Sequence, residues 1–265
     1  MELNRGVVTE TPRPSATVVL VRDDRDRGLE VFLLRRHTAS AVLGGAYVFP
    51  GGKLDEADCA PETVAPFHAL ATSWRAMLGE TQLPLAEAVG LYLAASREVQ
   101  EECGLRLPPE HLIPWSRWIT PRQPSVMNRR FDTRFFVAAL PPDQEPRHDD
   151  IEAIESVWLT PREALERFWA RDLSLAPPQI MTLVSLVGHQ SVDDVILSAR
   201  SNPPACILPE PFDDADGVRT ICYPGDPLHS VPVRAFAGPT RLRFVGGRFE
   251  PEAGLQALLE PMPLG

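Results

Sequence analysis

The sequence predicts an α/β fold, with strands and helices mixed along one core, a helical insertion and a C-terminal β extension. Three observations lead there. Short apolar and β-branched runs recur from Ala16 to Leu159. Between them lie stretches whose apolar residues return every three or four positions, as one face of a helix requires. The chain is 265 residues long and 44% hydrophobic, enough to bury a full core.

Ala16–Val21 and Glu30–Leu34 read as two core strands joined through the polar turn Asp23–Gly28. Leu43-Gly-Gly-Ala-Tyr-Val-Phe-Pro-Gly-Gly52 follows, a loop whose glycines and Pro50 demand unusual backbone angles. Val64, Phe67, Leu70, Ala71, Trp74 and Leu78 mark an amphipathic helix over Glu62–Leu78 in spite of Pro66. A second helix starts at Pro84 and runs to Cys103, where Gly104 stops it. Leu112–Thr120, Phe131–Leu140 and Ala153–Leu159 are three further strands, and Thr160-Pro-Arg-Glu163 is a capping box opening a helix to Ala170. Pro177-Pro178 and Ser191 begin two more helices. Asn202–Asp216, rich in proline and acid, reads as a linker or long loop, within which Asp213-Asp-Ala-Asp-Gly217 is a plain turn. Strands return at Val218–Tyr223 and Thr240–Phe249, the second turning at Gly246-Gly247.

A net charge of -10 repels polyanions, so nucleic acid is excluded as a first expectation and any phosphate must be met by local arginines or metal ions. Four scattered cysteines form no CxxC pair, and the six histidines show no metal-ligand spacing, which argues against structural zinc and fits a reducing cytoplasm. Neither an export signal nor a bilayer-spanning run is present, so no membrane partner is expected.

The chemistry gathers around Glu98. At about 100° per residue, Glu98, Glu101 and Glu102 share one helical arc, while Tyr92, Ala95, Val99 and Cys103 form the apolar stripe on another. Three adjacent carboxylates repel one another unless a hard divalent cation, which prefers clustered oxygens and bridges phosphates, neutralises them. A solvated acidic face would satisfy the same pattern.

Arg97-Glu-Val-Gln-Glu-Glu-Cys-Gly-Leu105 decides between them, because it resembles the second half of the Nudix box at every specified position. Gly52-Lys-Leu-Asp-Glu-Ala-Asp58 resembles the first half, with Asp58 where glutamate is usual. The usual box leaves seven residues before the arginine. Here 38 intervene, residues 59–96, a surplus of 31. Closure entropy rises only logarithmically with length, so an insertion with adjacent ends leaves the box intact in space. With Tyr47-Val-Phe-Pro-Gly-Gly52 and Arg130-Phe-Asp-Thr-Arg-Phe-Phe136, the inserted box resembles the branch holding peroxisomal coenzyme A diphosphatases and their bacterial relatives.

The resemblance implies an α/β/α sandwich with a mixed β-sheet, comprising residues 1–202 with the insertion at about 59–96. Residues 203–265 are then a β extension packed on the same domain. It implies a hydrolase of a diphosphate bond in a nucleoside diphosphate linked to another moiety, coenzyme A or an acyl derivative among the candidates. Glu98, Glu101 and Glu102 would hold Mg²⁺ or Mn²⁺, with Arg97 bracing the loop, and Gly51 and Gly52 letting backbone approach. Glu101, Glu102 and Glu155 are candidates for the base. Arg130, with Arg122, Arg129 and Arg134, is a candidate phosphate contact. Phe67, Leu70, Trp74 and Leu78 of the insertion either line a pocket for a pantetheine or acyl arm or pack it down. Phe67, Trp74 and Leu91 could instead face a second subunit, so a homodimer is compatible with the sequence. The alternative to an enzyme is a ligand-binding or regulatory module of the same fold without catalysis.

Overall fold

The computed structural model describes residues 3–40 and 43–261. Its spine is an eight-stranded mixed sheet. β1 (Arg13–Asp24) and β2 (Gly28–Arg36) form the expected hairpin, and β3 (Tyr47–Val48) and β4 (Gly51–Lys53) pair with β2 and β1 respectively. β5 (Ile113–Ile119), β6 (Phe131–Ala139) and β7 (Ala153–Leu159) complete the series expected from the sequence. The order is β3-β2-β1-β6-β5, and β7 pairs with β2. Because β1 runs parallel to β6 while β2 runs antiparallel to β1 and β5 antiparallel to β6, the sheet is mixed.

Period-two alternation sorts each strand's side chains between two buried layers. Ala16, Val18 and Leu20 face one, Val19 and Val21 the other. The first layer is covered by α1 (Pro61–Val64), α2 (His68–Met77) and α3 (Leu85–Cys103). The second is covered by α4 (Pro161–Ala170), α5 (Pro177–Leu186) and α6 (Val192–Ser201). This is the α/β/α sandwich expected.

Pro66 breaks the single helix expected over Glu62–Leu78. A 3₁₀ turn at Ala65–Phe67 separates α1 from α2, since proline supplies no N–H and clashes with the preceding turn. The capping box at Thr160 is half made: its hydroxyl accepts the Glu163 N–H, while the Glu163 carboxylate goes to Arg27 and Arg167.

Asn202–Asp216 is not a linker. It contains β8 (Ala205–Ile207), which joins the main sheet parallel to β5, and β9 (Glu210–Asp213). β9 then pairs in a second, antiparallel sheet with β10 (Arg219–Cys222), β11 (Arg241–Val245) and β12 (Arg248–Glu250). Proline at 209 and 211 hid these strands, which are edge or short segments where proline is tolerated. Ile221, Leu242 and Phe249 of that sheet and Tyr223 just after β10, with Leu258 and Leu259 of α7 (Gln256–Leu259), enter the same buried layer as α4, α5 and α6. No helix among the described residues is long and apolar enough to cross a membrane, and the four cysteines are free.

Candidate active site

The two halves of the split motif meet at one end of a cleft. β4 runs antiparallel to the start of β1, with Gly52 opposite Ala16 and Gly51 opposite Thr17. A Cβ on Gly51 would lie 2.4 Å from the Ala16 carbonyl oxygen, and one on Gly52 would lie 2.2 Å from the Glu98 carboxylate. The two glycines thus let the loop touch both the sheet and α3.

α3 is held from behind by the stripe expected for it: Tyr92, Ala95, Val99 and Cys103 are all buried. Its other face carries the acids. Glu102, 6% exposed, accepts the Gly51 N–H at 2.9 Å. Burial pushes its pKa up to about 8, against the pull of the Gly51 N–H, and the nearby Glu98 and Glu152 add like-charge repulsion. Burial raises Glu98 as well, in spite of the adjacent Arg97 guanidinium.

Arg97 is the hub. Its Nε and Nη2 donate to Asp58 Oδ1 and Oδ2 at 3.1 and 3.0 Å, a two-pronged pair with a carboxylate that is 5% exposed. Nη1 donates to Glu98 at 2.8 Å and to Glu101 at 3.1 Å, and Nη2 also donates to the Lys53 carbonyl at 3.0 Å. The Asp58 bond, foremost, holds the guanidinium firmly protonated. Asp58 sits in a 3₁₀ turn (Glu56–Cys59), so this contact closes the gap of residues 59–96.

The donor set consists of carboxylate oxygens gathered under partial burial, which is the ligand chemistry of hard divalent cations. Among the described residues, however, no three acidic, histidine or cysteine side chains are already arranged to hold an ion. Each box acid has turned to an N–H donor instead: Glu98 and Glu101 to Arg97, Glu102 to Gly51. Arg97 would keep Asp58 and Lys53 as partners if the two glutamates swung to a cation, so the residues fit the group in chemistry, though not as a preformed cage.

Glu98 and the glycine loop border a cavity of about 560 Å³. Glu98, Gly51, Gly52 and Lys53 line it on the polar side, and Phe49, Trp118, Phe135, Ile221 and Phe249 form its apolar wall. Arg129 also lines it, and neither Arg129 nor Lys53 is ion-paired among the described residues.

Several expected site residues lie elsewhere. Arg130 spends its guanidinium on the Thr120 and Glu10 carbonyls, tying two loops together. Arg134, 3% exposed, is locked to Glu80 and Asp132. Glu155 pairs with Arg35 across the β2–β7 ladder, away from the cavity wall. No residue between 54 and 96 lines the cavity. Trp74 stacks on Tyr92 at 4.3 Å with Phe67 stacked behind it at 5.5 Å, and Leu91 is buried in the core. The insertion's apolar residues are therefore packing, neither a pocket wall nor, for Trp74 and Leu91, an outward face.

Glu152 is the acid that the sequence reading missed. It lines the cavity with Glu98, is close enough to raise both Glu98 and Glu102, and is 3.5 Å from Arg36. Its loop is fixed by the Asp149 carboxylate, which accepts the N–H groups of Ile151, Glu152 and Ala153. Asp149-Asp150 ahead of β7 was the available signal, since aspartate commonly caps its own loop backbone.

A family model described as the NUDT19 Nudix domain matches residues 109–186. Acyl-coenzyme A diphosphatase NUDT19 of Gallus gallus is 27% identical over 277 residues, spanning 76% of this chain and 72% of that protein. Putative nudix hydrolase 7 of Caenorhabditis elegans is 26% identical over 239 residues, spanning 84% of this chain and 77% of that protein. A solved NUDIX hydrolase from Alicyclobacillus acidocaldarius superposes with a TM-score of 0.55 at 23% identity, covering 74% of this chain and 99% of its own, a likeness of fold.

Proposed function

We propose that the chain is a Nudix hydrolase that cleaves the diphosphate bond of coenzyme A or an acyl-coenzyme A with the help of Mg²⁺ or Mn²⁺. One observation carries this reading: the acidic, glycine-lined end and the apolar wall belong to one continuous cavity of about 560 Å³. A diphosphate flanked by a long, mostly apolar arm has that same division. The names of the similar proteins support the choice of substrate.

In this mechanism Glu98, Glu101 and Glu102 would hold the divalent ion, which when bound supplies charge neutralisation at phosphate and an acidified water. The chain's own residues do the rest. Gly51 and Gly52 bring backbone against the diphosphate, and Lys53 and Arg129 offer unpaired positive charge at its edge. Arg97 holds the loop bearing Asp58 against α3 whichever way the glutamates turn. Two acids are candidates to accept a proton from the attacking water: Glu152, which lines the cavity, and Glu102, whose burial raises its basicity.

The same reading makes the chain one domain, its C-terminal extension supplying Ile221 and Phe249 to the cavity. A cytoplasmic setting and the absence of nucleic-acid or membrane partners complete it. The test is a hydrolysis panel of coenzyme A, an acyl-coenzyme A, ADP-ribose and NADH with Mg²⁺ or Mn²⁺. Turnover of the coenzyme A compounds above the others is expected. Tight binding of any of them without turnover would identify a regulatory module instead.

A further inference from the structure

Gln179 stands in the first turn of α5, on the wall of the cavity, and is 8% exposed. Its Oε1 is buried and has no hydrogen-bond partner. Ser125, in the loop before β6, lines the same cavity at 7% exposure, and its Oγ is likewise buried and unpartnered although its carbonyl accepts the Asn4 N–H. Their chain neighbours on the wall carry no side-chain hydrogen-bonding group: Ala176, Pro177 and Pro178 precede Gln179, and Val126 follows Ser125. The indole N–H of Trp118, on the apolar wall, is already given to Ser116.

An orphaned buried acceptor destabilises the ligand-free protein, and the cost disappears when a ligand brings the missing donor. Resting on the reading of the substrate as a coenzyme A compound, we propose that Gln179 and Ser125 determine specificity by hydrogen-bonding the amide groups of its pantetheine arm. Gln179 Oε1 takes an amide N–H, and the Ser125 hydroxyl donates to an amide carbonyl. The terminal amide of glutamine turns readily about its last torsion, so the oxygen can follow the arm along the wall. An amide-bearing aliphatic chain suits two polar groups in an apolar wall.

The experiment uses pantetheine itself, which has the arm and lacks the diphosphate. Calorimetric binding to the full chain is compared for wild type, Gln179→Met and Ser125→Ala. Wild type binds, Gln179→Met weakens the affinity about tenfold, and Ser125→Ala weakens it about threefold. The melting temperature of ligand-free Gln179→Met is equal to or above that of wild type, because methionine fills the space without an orphaned oxygen. For coenzyme A hydrolysis KM rises in proportion while kcat stays within about twofold. Failure of wild type to bind pantetheine overturns the proposal, as does undiminished binding by both variants. A Gln179→Met protein with lowered melting temperature and lowered kcat, beside a Ser125→Ala protein that binds normally, assigns Gln179 to packing and also overturns it. Variant-sensitive pantetheine binding in a protein that leaves coenzyme A intact would sink the diphosphatase reading while leaving the subsite standing.

Discussion

Replacing Glu102 by glutamine should abolish activity and at the same time stabilise the metal-free protein at alkaline pH. The carboxyl is buried, keeps one N–H donor, and has its pKa pushed from 4.5 up to about 8. The folded state therefore binds this proton more tightly than the unfolded chain. Below pH 4.5 both states are protonated and nothing is lost. Between 4.5 and about 8 stability falls as pH rises, and above 8 the full penalty applies. At about 1.4 kcal/mol per pH unit the gap sets a ceiling near 5 kcal/mol. Relaxation and water entry should leave about 2 kcal/mol of it, which for a chain of this length is about 4–8 °C in melting temperature. Glutamine removes the charge and retains an oxygen to accept the Gly51 N–H. Thermal unfolding in a chelator at pH 9 should show the variant melting about 4–8 °C above wild type, with the difference mostly gone at pH 5. Added Mg²⁺ should raise the wild type more than the variant, and kcat should drop at least about a hundredfold. A variant that melts at or below wild type at pH 9, or that turns over normally, would refute the placement of Glu102 as a strained buried acid kept for a cation.

The structure sets three further outcomes. Arg97→Ala leaves Asp58 buried without its partner, so unfolding stability should fall by about 2–3 kcal/mol and kcat at least about tenfold; denaturant titration with a rate assay checks both. Trp74→Ala removes the middle ring of the Phe67–Trp74–Tyr92 stack and should cost about 3–5 kcal/mol, lowering kcat/KM for coenzyme A and ADP-ribose in parallel and not changing their ratio. Glu80→Gln takes one of two carboxylate partners from both Arg117 and Arg134, leaving them Asp132 alone, and a loss of about 3 kcal/mol in chemical denaturation is expected, with metal affinity unchanged.

Much of this was legible in the sequence, and the reason is that the legible parts are local. The stripe of α3, its stop at Gly104 in the left-handed conformation, and the strand Ala153–Leu159 all follow from period and cap. The two glycines before the insertion, and the acids after it, carried the site for the same cause. What escaped depends on distant partners. Arg134 has the composition of a phosphate contact, and nothing nearby in sequence says that Glu80, 54 residues earlier, takes its guanidinium. Glu155 and Glu152 sit on the same strand-and-loop segment. Pairing of β7 with β2 sends Glu155 to Arg35, while the Asp149 turn delivers Glu152 to the cavity.

The insertion illustrates how such distant contacts reverse a reading made from neighbours. Being spliced between the glycine loop and the acidic helix, it must begin and end beside the acids, which made it a natural candidate for covering the cleft. It is instead clamped from behind at its start and along its middle. Asp58 is gripped by Arg97, and Trp74 lies flat on Tyr92, whose ring meets Phe136 of β6. Between α2 and α3, Glu80 reaches past the helices to Arg117 on β5 and Arg134 on β6. These contacts make the insertion a brace that fixes the height and rotation of α3 over β1 and β4, and hence the position of Glu98 and Glu102 against the glycines. Selection of the substrate must then come from the opposite side of the sheet, where α5, the loop before β6 and the second sheet contribute Gln179, Ser125, Ile221 and Phe249 to the cavity. Exchanging the insertion should alter stability and turnover for every substrate alike, whereas exchanging residues of that far wall should alter which substrate is turned over.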